Sequence, residues 1–191
     1  EQLYQRGETF FQSYSYYQAL DQLNQVLQHP EADTQIKAKA LFRIGMCYYN
    51  LRDYSQSEQY LLQCYQAPTP NDLADDSLYF LGRVATNLGL NQEAIDYYQK
   101  LIDQYPQSNL SDDALYRIGR IYFFEDQMDL AIKHYQQVID QYPSGDRLSE
   151  VLWELGWIHY SSQEWNQAKD IFAQMAGSFK STELEEKGLF W

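Results

Sequence analysis

Glycine recurs at positions 7, 45, 82, 119 and 156, at steps of 38, 37, 37 and 37 residues. A fixed period of this length constrains the fold more than any other property of the chain. It means one supersecondary unit copied along the sequence, each copy burying its apolar face against the next. The surrounding block recurs with the glycine. Tyr105-Pro106 followed by Ala114-Leu-Tyr-Arg-Ile-Gly119 returns as Tyr142-Pro143 followed by Leu152-Trp-Glu-Leu-Gly156. Earlier copies are Asp75-Asp-Ser-Leu-Tyr-Phe-Leu-Gly82 and Lys39-Ala-Leu-Phe-Arg-Ile-Gly45. A second series keeps register: Ala19, Ser57, Ala94, Ala131 and Ala168 each stand 12 residues after a glycine. Four residues further come Leu23, Leu61, Tyr98, Tyr135 and Phe172. Small residues at two fixed points let two antiparallel helices approach, and the large residues fill the space between neighbouring hairpins. The expectation is an all-α solenoid of antiparallel helix hairpins.

Punctuation divides the chain into repeats at about 1–32, 33–70, 71–107, 108–144 and 145–180, with a truncated sixth at 181–191. Ser13–Ser15 is the first turn, His29-Pro30 closes that hairpin, and Asp33 or Thr34 caps the next helix. That helix ends near Asn50, and its partner runs from about Asp53 to Gln66. Pro68-Thr-Pro70-Asn-Asp72 is read as a turn with a new cap, and Asn87-Leu-Gly89-Leu-Asn91 as a tight turn ending on a cap. Tyr105-Pro106 and Tyr142-Pro143 each end a second helix, because proline disfavours α geometry in the residue before it. Ser144-Gly-Asp146 restarts the chain, and Gly177 is the expected stop of the fifth hairpin. Ser181-Thr-Glu183 opens another helix, in which Leu189-Phe-Trp191 aligns with Leu152-Trp-Glu154. End repeats need a polar outer face, so the expectation is a piece of a longer protein.

The net charge of −13 decides against several partners. An acidic chain repels phosphate backbones and anionic lipid surfaces, so nucleic acid is not an expected partner. No apolar run approaches the roughly 18–20 residues of a membrane span, and membrane insertion is not expected of this segment. Cys47 and Cys64 read first as small buried hydrophobes; a disulfide stays open if the chain is exported, although a hairpin sets these positions well apart.

No catalytic residue, metal site or cofactor is expected, and the chain is not read as an enzyme. Asp75-Asp76, Asp112-Asp113 and Glu185-Glu186 recur in first turns, where acid offsets the positive end of the helix dipole. A catalytic pair is not usually copied by translation through an array. His29, His134 and His159 lie in different repeats without ligand spacing. There is no Gly-rich phosphate loop and no nucleophile elbow.

These residues resemble the tetratricopeptide repeat. Leu78, Leu81-Gly82, Ala94, Tyr98, Leu101 and Pro106 follow that family's pattern, as do Leu115, Ile118-Gly119, Tyr122, Ala131, Tyr135, Val138 and Pro143. The fifth repeat offers Leu152, Leu155-Gly156, Ala168 and Phe172, with His159 in place of an aromatic. The first two repeats are looser, with Ser57 for alanine and displaced prolines. The resemblance implies a right-handed superhelix that acts as a non-catalytic scaffold for protein–protein interaction, binding a peptide or helix. The Tyr-Pro variant is similar to repeats of exported bacterial envelope proteins, which implies a periplasmic or cell-envelope location. Leu152-Trp-Glu-Leu-Gly-Trp-Ile-His-Tyr160 and Glu186-Lys-Gly-Leu-Phe-Trp191 resemble the helical region of soluble lytic transglycosylases. That finer resemblance implies an alternative: the superhelical part of such an enzyme, linked to peptidoglycan, with its catalytic glutamate beyond residue 191.

In such an array the first helix of each pair lines the hollow side. Three positions per repeat are expected to face it. The first row is Tyr4, Phe42, Tyr79, Tyr116 and Trp153, aromatic in every copy. Further along the helix comes Phe11, Tyr49, Thr86, Phe123 and Tyr160; between the two rows lie Glu8, Met46, Arg83, Arg120 and Trp157. The expected partner groove is Tyr4, Phe42, Tyr79, Arg83, Tyr116, Arg120, Phe123, Trp153, Trp157 and Tyr160. Tyr, Trp and Arg are enriched where proteins grip peptides. The alternative use of each ring is packing between hairpins.

Overall fold

The structure is a computed structural model that describes residues 1–68 and 72–178; the expected sixth repeat and Pro70 lie outside the described residues. Among the described residues there are ten helices and no strand. The fold class is the expected all-α helical-repeat solenoid. The chain divides into two compact units, Glu1–Ser108 and a second from Asn109 onward. The first unit holds α1 (Gln2–Gln12), α2 (Tyr16–Gln28), α3 (Thr34–Asn50), α4 (Tyr54–Tyr65), α5 (Ala74–Leu88) and α6 (Asn91–Gln104). The second holds α7 (Ser111–Phe124), α8 (Met128–Gln141), α9 (Leu148–Ser161) and α10 (Trp165–Ser178).

Every hairpin is closed at the same crossing. The residue 16 places after each motif glycine lies against it, so an added Cβ would meet that side chain. It would stand 2.5 Å from the rings of Tyr98, Tyr135 and Phe172 at Gly82, Gly119 and Gly156. At Gly7 and Gly45 it would stand 2.7 and 2.8 Å from Leu23 and Leu61. The alanine series is buried beside this contact, and Ser57, which takes the alanine place in the second repeat, is buried too. Its Oγ donates to the Gly45 carbonyl at 2.9 Å, which satisfies the hydroxyl and explains why serine fits there.

The first helix of every pair ends in the same turn. Tyr14, Arg52, Gly89, Asp126 and Gln163, each seven residues after a motif glycine, have φ between 59° and 75°. Their amides donate to the carbonyls of Phe11, Tyr49, Thr86, Phe123 and Tyr160, three residues back. The next amides, of Ser15, Asp53, Leu90, Gln127 and Glu164, reach five back, to Phe10, Tyr48, Ala85, Tyr122 and His159. This pair of bonds is the Schellman arrangement, which normally takes glycine at the left-handed position. Here only Gly89 is glycine.

Several expected boundaries shift by a residue or two. Leu90, not Asn91, is the cap of α6, because the turn's backbone bonds place Asn91 inside the helix. Leu73, not Asp72, stands before α5, and α10 runs through Gly177 to Ser178. Asp33 and Asp53 do cap, accepting from Ile36 N at 2.8 Å and Gln56 N at 3.2 Å. Tyr105 and Tyr142 leave α geometry before their prolines, as expected.

Neighbouring hairpins of the first unit share apolar cores. Ala19, Leu20, Leu23 and Val26 meet Ala40, Ile44 and Cys47, and Phe42, Leu61 and Cys64 meet Leu81 and Val84. Both cysteines are buried, and the Cys64 thiol donates to the Ala38 carbonyl at 3.3 Å. Burial pushes the Cys47 thiol up to about 12, so it stays protonated and inert.

Candidate partner-binding surface

In the first unit, burial corrects part of the expected groove. Phe42 and Tyr79 are only 8% and 6% exposed, and they are core residues rather than open rings. Tyr79 turns across its own hairpin to Tyr98, at 6.0 Å between centroids, and Phe42 packs edge-on to Phe80 at 5.8 Å. Tyr4 is half-buried and donates to Glu8 at 3.2 Å. Glu8 also accepts from Arg43 Nε at 2.8 Å, and the Arg43 guanidinium lies 4.4 Å above Phe11. Burial, and then the Glu8 charge, raise the Tyr4 phenol above its ordinary range.

Arg83 sits differently. Its guanidinium lies 5.0 Å from the Tyr49 ring, 5.3 Å from Phe80 and 5.9 Å from Tyr79. Tyr49 and Phe80 pack edge-on at 5.9 Å, so the rings brace one another under the cation. Asn87 Nδ2 donates to the Arg83 carbonyl at 2.8 Å and to Tyr49 Oη at 3.3 Å. The sequence pattern gave the position of Arg83 but not Phe80, whose row carries Arg43, Arg117 and Glu154 in other repeats.

In the second unit Tyr116 is also buried, at 6% exposed, which corrects its expected open place. Its ring lies 6.0 Å from Tyr135, and its hydroxyl donates to Glu154 Oε1 at 2.8 Å. The Tyr135 hydroxyl donates to Glu154 Oε2. Burial first, then these bonds to a carboxylate, raise both phenols well above their ordinary range. Glu154 also faces Arg120 at 3.7 Å, and the Arg120 guanidinium lies 5.1 Å from Phe124 and 5.8 Å from Tyr116. Glu154 is thus a hub, invisible to a search for repeated residues because its place is filled differently in each copy.

Trp153 is half-buried and tilted against Phe172 at 5.9 Å. Trp157 stacks on Tyr160 at 5.5 Å and 23°, and Tyr160 meets Trp165 edge-on at 5.2 Å. Trp157 and Trp165 are 42% and 55% exposed. Phe123 is half-buried against Phe124, which is 70% exposed. Phe124 and Trp165 fell outside the expected rows because one is the last residue of a first helix and the other opens a second helix.

The acidic pairs are tied into the fold. Asp75 accepts from Ser108 Oγ at 2.7 Å. Burial and then Asp75 raise the Asp76 carboxyl above its usual range. Asp113 accepts from Arg117 Nε at 2.9 Å and pairs with Arg147, which also holds Glu150 at 3.0 Å. Glu185-Glu186 lies outside the described residues. His134 stacks on Tyr122, and His159 pairs with Glu164 at 2.6 Å. Among the described residues no group of three or more His, Cys, Asp or Glu is placed to hold a metal ion.

Models described as tetratricopeptide repeat match residues 38–68 and, in a second form, residues 76–108, 113–145 and 150–182. A comparison with curated proteins returned no match. Among solved structures, MamA is similar at 21% identity and a TM-score of 0.71, over 97% of each chain. The C-terminal part of a repeat-containing protein from Cytophaga hutchinsonii gives 19% and 0.76, over 98% of this chain and 68% of that one. YrrB, described as having an unusual peptide-binding site, gives 17% and 0.65, over 99% and 91%.

Proposed function

The chain belongs to the tetratricopeptide-repeat family, and on that premise we propose that it is a non-catalytic scaffold gripping an extended or helical segment of a partner protein. Within each unit the grip lies on the first helices, at the row one residue after the motif glycine. One observation carries this reading. Arg83, Arg120 and Trp157 are held from beneath by rings yet remain half-exposed or exposed. Such braced side chains offer contact area at little entropic cost. The peptide-binding description of YrrB supports the same use of the fold. The Tyr-Pro repeat variant supports a place in the bacterial cell envelope. The test is a photo-crosslinking residue placed at Arg83 or Trp157, with Lys133 on a second helix as control. The expected result is one discrete partner from the first two sites and none from the third. Equal capture at all three would remove the reading.

The alternative is the superhelical region of a cell-wall lytic transglycosylase. The stacked Trp157, Tyr160 and Trp165 favour it, since aromatic faces also suit sugar rings. Co-sedimentation with purified peptidoglycan, lost on Trp157→Ala with Trp165→Ala, would select it.

A further inference from the structure

The tip of the first hairpin carries rings that the fold does not ask for. Tyr14 and Tyr17 are 79% and 75% exposed, the highest values among the described large hydrophobics, and Phe10, one turn earlier on α1, is 36% exposed. In the other repeats the place of Tyr14 holds Arg52, Gly89, Asp126 and Gln163, and that of Tyr17 holds Ser55, Gln92, Asp129 and Asn166. The turn is the same in all five. Tyr14 is braced: its ring packs edge-on to Tyr16 at 6.4 Å, and Tyr16 meets Phe11 at 5.7 Å. No charged residue lies between Glu8 and Asp21, in a chain of net charge −13. One turn beyond the rings stand Arg6, before Phe10, and Asp21, after Tyr17, opposite in sign, while Glu8 is answered by Arg43.

We propose that this tip is a homodimer contact, at which Phe10, Tyr14 and Tyr17 pack on the same residues of a second copy about a two-fold axis. Charge selects the occupant. Two copies of so acidic a chain repel one another and meet closely only where each is neutral. A basic partner gains more on any acidic face than on this one. Tyrosine also suits an identical neighbour: its ring packs offset or edge-on against another, and its hydroxyl both donates and accepts. End-on stacking against α1 is the competing geometry, and the sequence register opposes it. Ala40, Ile44 and Cys47 seal α3 against the hairpin before it, as Leu81 and Val84 seal α5. The matching places in α1 are Gln2, Arg6 and Thr9, all exposed, and stacking there would bury Arg6. A closed pair through the tips leaves Arg6 at the rim. Six rings supply on the order of 1,000 Å² in all, the low end for specific interfaces, so the dimer is weak and reversible.

The test is sedimentation velocity on the full chain, over a wide concentration series, for wild type, Tyr14→Gln with Tyr17→Gln, and Phe124→Gln. Glutamine stands at these two places in other repeats, as Gln163 and Gln92, so the hairpin accepts it, and circular dichroism checks that helicity is kept. Wild type is expected to shift reversibly to twice the monomer mass, with a Kd on the order of 10–100 µM. The paired substitution should weaken the dimer by about tenfold or more, and Phe124→Gln should leave it unchanged. Raising salt from about 50 to 500 mM should tighten it several-fold, because screening removes the repulsion between the copies. Tyr17→Gln alone, which leaves the left-handed residue of the turn in place, carries the same test should the pair lose helicity. A chain that is monomeric throughout, or a dimer that survives these substitutions, would overturn the proposal. So would a dimer loosened by salt, which is held by ion pairs, or growth into open chains, which marks end-on stacking.

Discussion

In the second unit Arg120 leans on Phe124 and Tyr116 and faces Glu154; in the first, Arg83 stands 37 residues earlier, leans on three rings and, among the described residues, faces no carboxylate. The backbone frames are alike, down to a ring packed on the motif glycine. What differs is how polar groups are consumed. In the second unit two phenols and a guanidinium converge on Glu154, and Asp113 joins Arg117 and Arg147. In the first unit the Glu8 and Arg43 pair is self-contained, while the Arg83 side is built of rings. A repeat can therefore keep its packing while the polar partners at a single register change.

The largest expected effect tests the hub. Glu154→Ala strands the buried hydroxyls of Tyr116 and Tyr135, at a cost of about 2–3 kcal/mol in urea unfolding. Adding Tyr116→Phe and Tyr135→Phe should return much of that loss, since the unpaired groups go with it. Simple additivity would show that Glu154 is no hub. Next, Ala131→Leu and Ala94→Leu both overpack a hairpin crossing and are expected to lose about 1–3 kcal/mol each. Hydrogen exchange should place each loss in its own unit, and unequal losses would show that the crossings are not equivalent.

The raised phenols set a smaller, pH-dependent difference. Tyr116 and Tyr135 hold their protons in the folded state above the pH at which unfolded tyrosine, with a pKa near 10, releases them. The stability they confer is present below that pH and is lost as pH rises above it. Urea midpoints at pH 8 and pH 11 should diverge in wild type and diverge less in the Tyr116→Phe, Tyr135→Phe double variant. The smallest effects concern the turns. Gly89→Ala is expected to lose about 1 kcal/mol by left-handed strain alone, since an added Cβ there meets nothing within 4 Å. Arg52→Gly and Gln163→Gly should gain about 0.5–1 kcal/mol, one in each unit, read from thermal midpoints.

The hairpins were legible because their defining contact is local. Each glycine and the large residue 16 places later recur in fixed register, so periodicity alone exposes the crossing. The turn was legible only at Gly89, because Tyr14, Arg52, Asp126 and Gln163 occupy the left-handed position without the residue that advertises it. The surface was legible in part. Arg83, Arg120 and Trp157 stand at half-exposed or exposed positions, but Phe42, Tyr79 and Tyr116 are buried. Spacing assigns a residue to a helix shoulder; it does not say whether a ring there folds back over its hairpin, which depends on the neighbour across the gap. Tyr79 and Tyr116 fold back because Tyr98 and Tyr135 offer them a ring to meet.

All five turns close on the same two main-chain bonds, three and five residues back. Tip residues as unlike as Tyr14, Arg52, Asp126 and Gln163 therefore build one and the same bend. The folding code and the chemistry displayed at the tips are separable in this molecule. A lineage can rewrite what the rim shows to its surroundings, residue by residue, while the bend behind it stays the same.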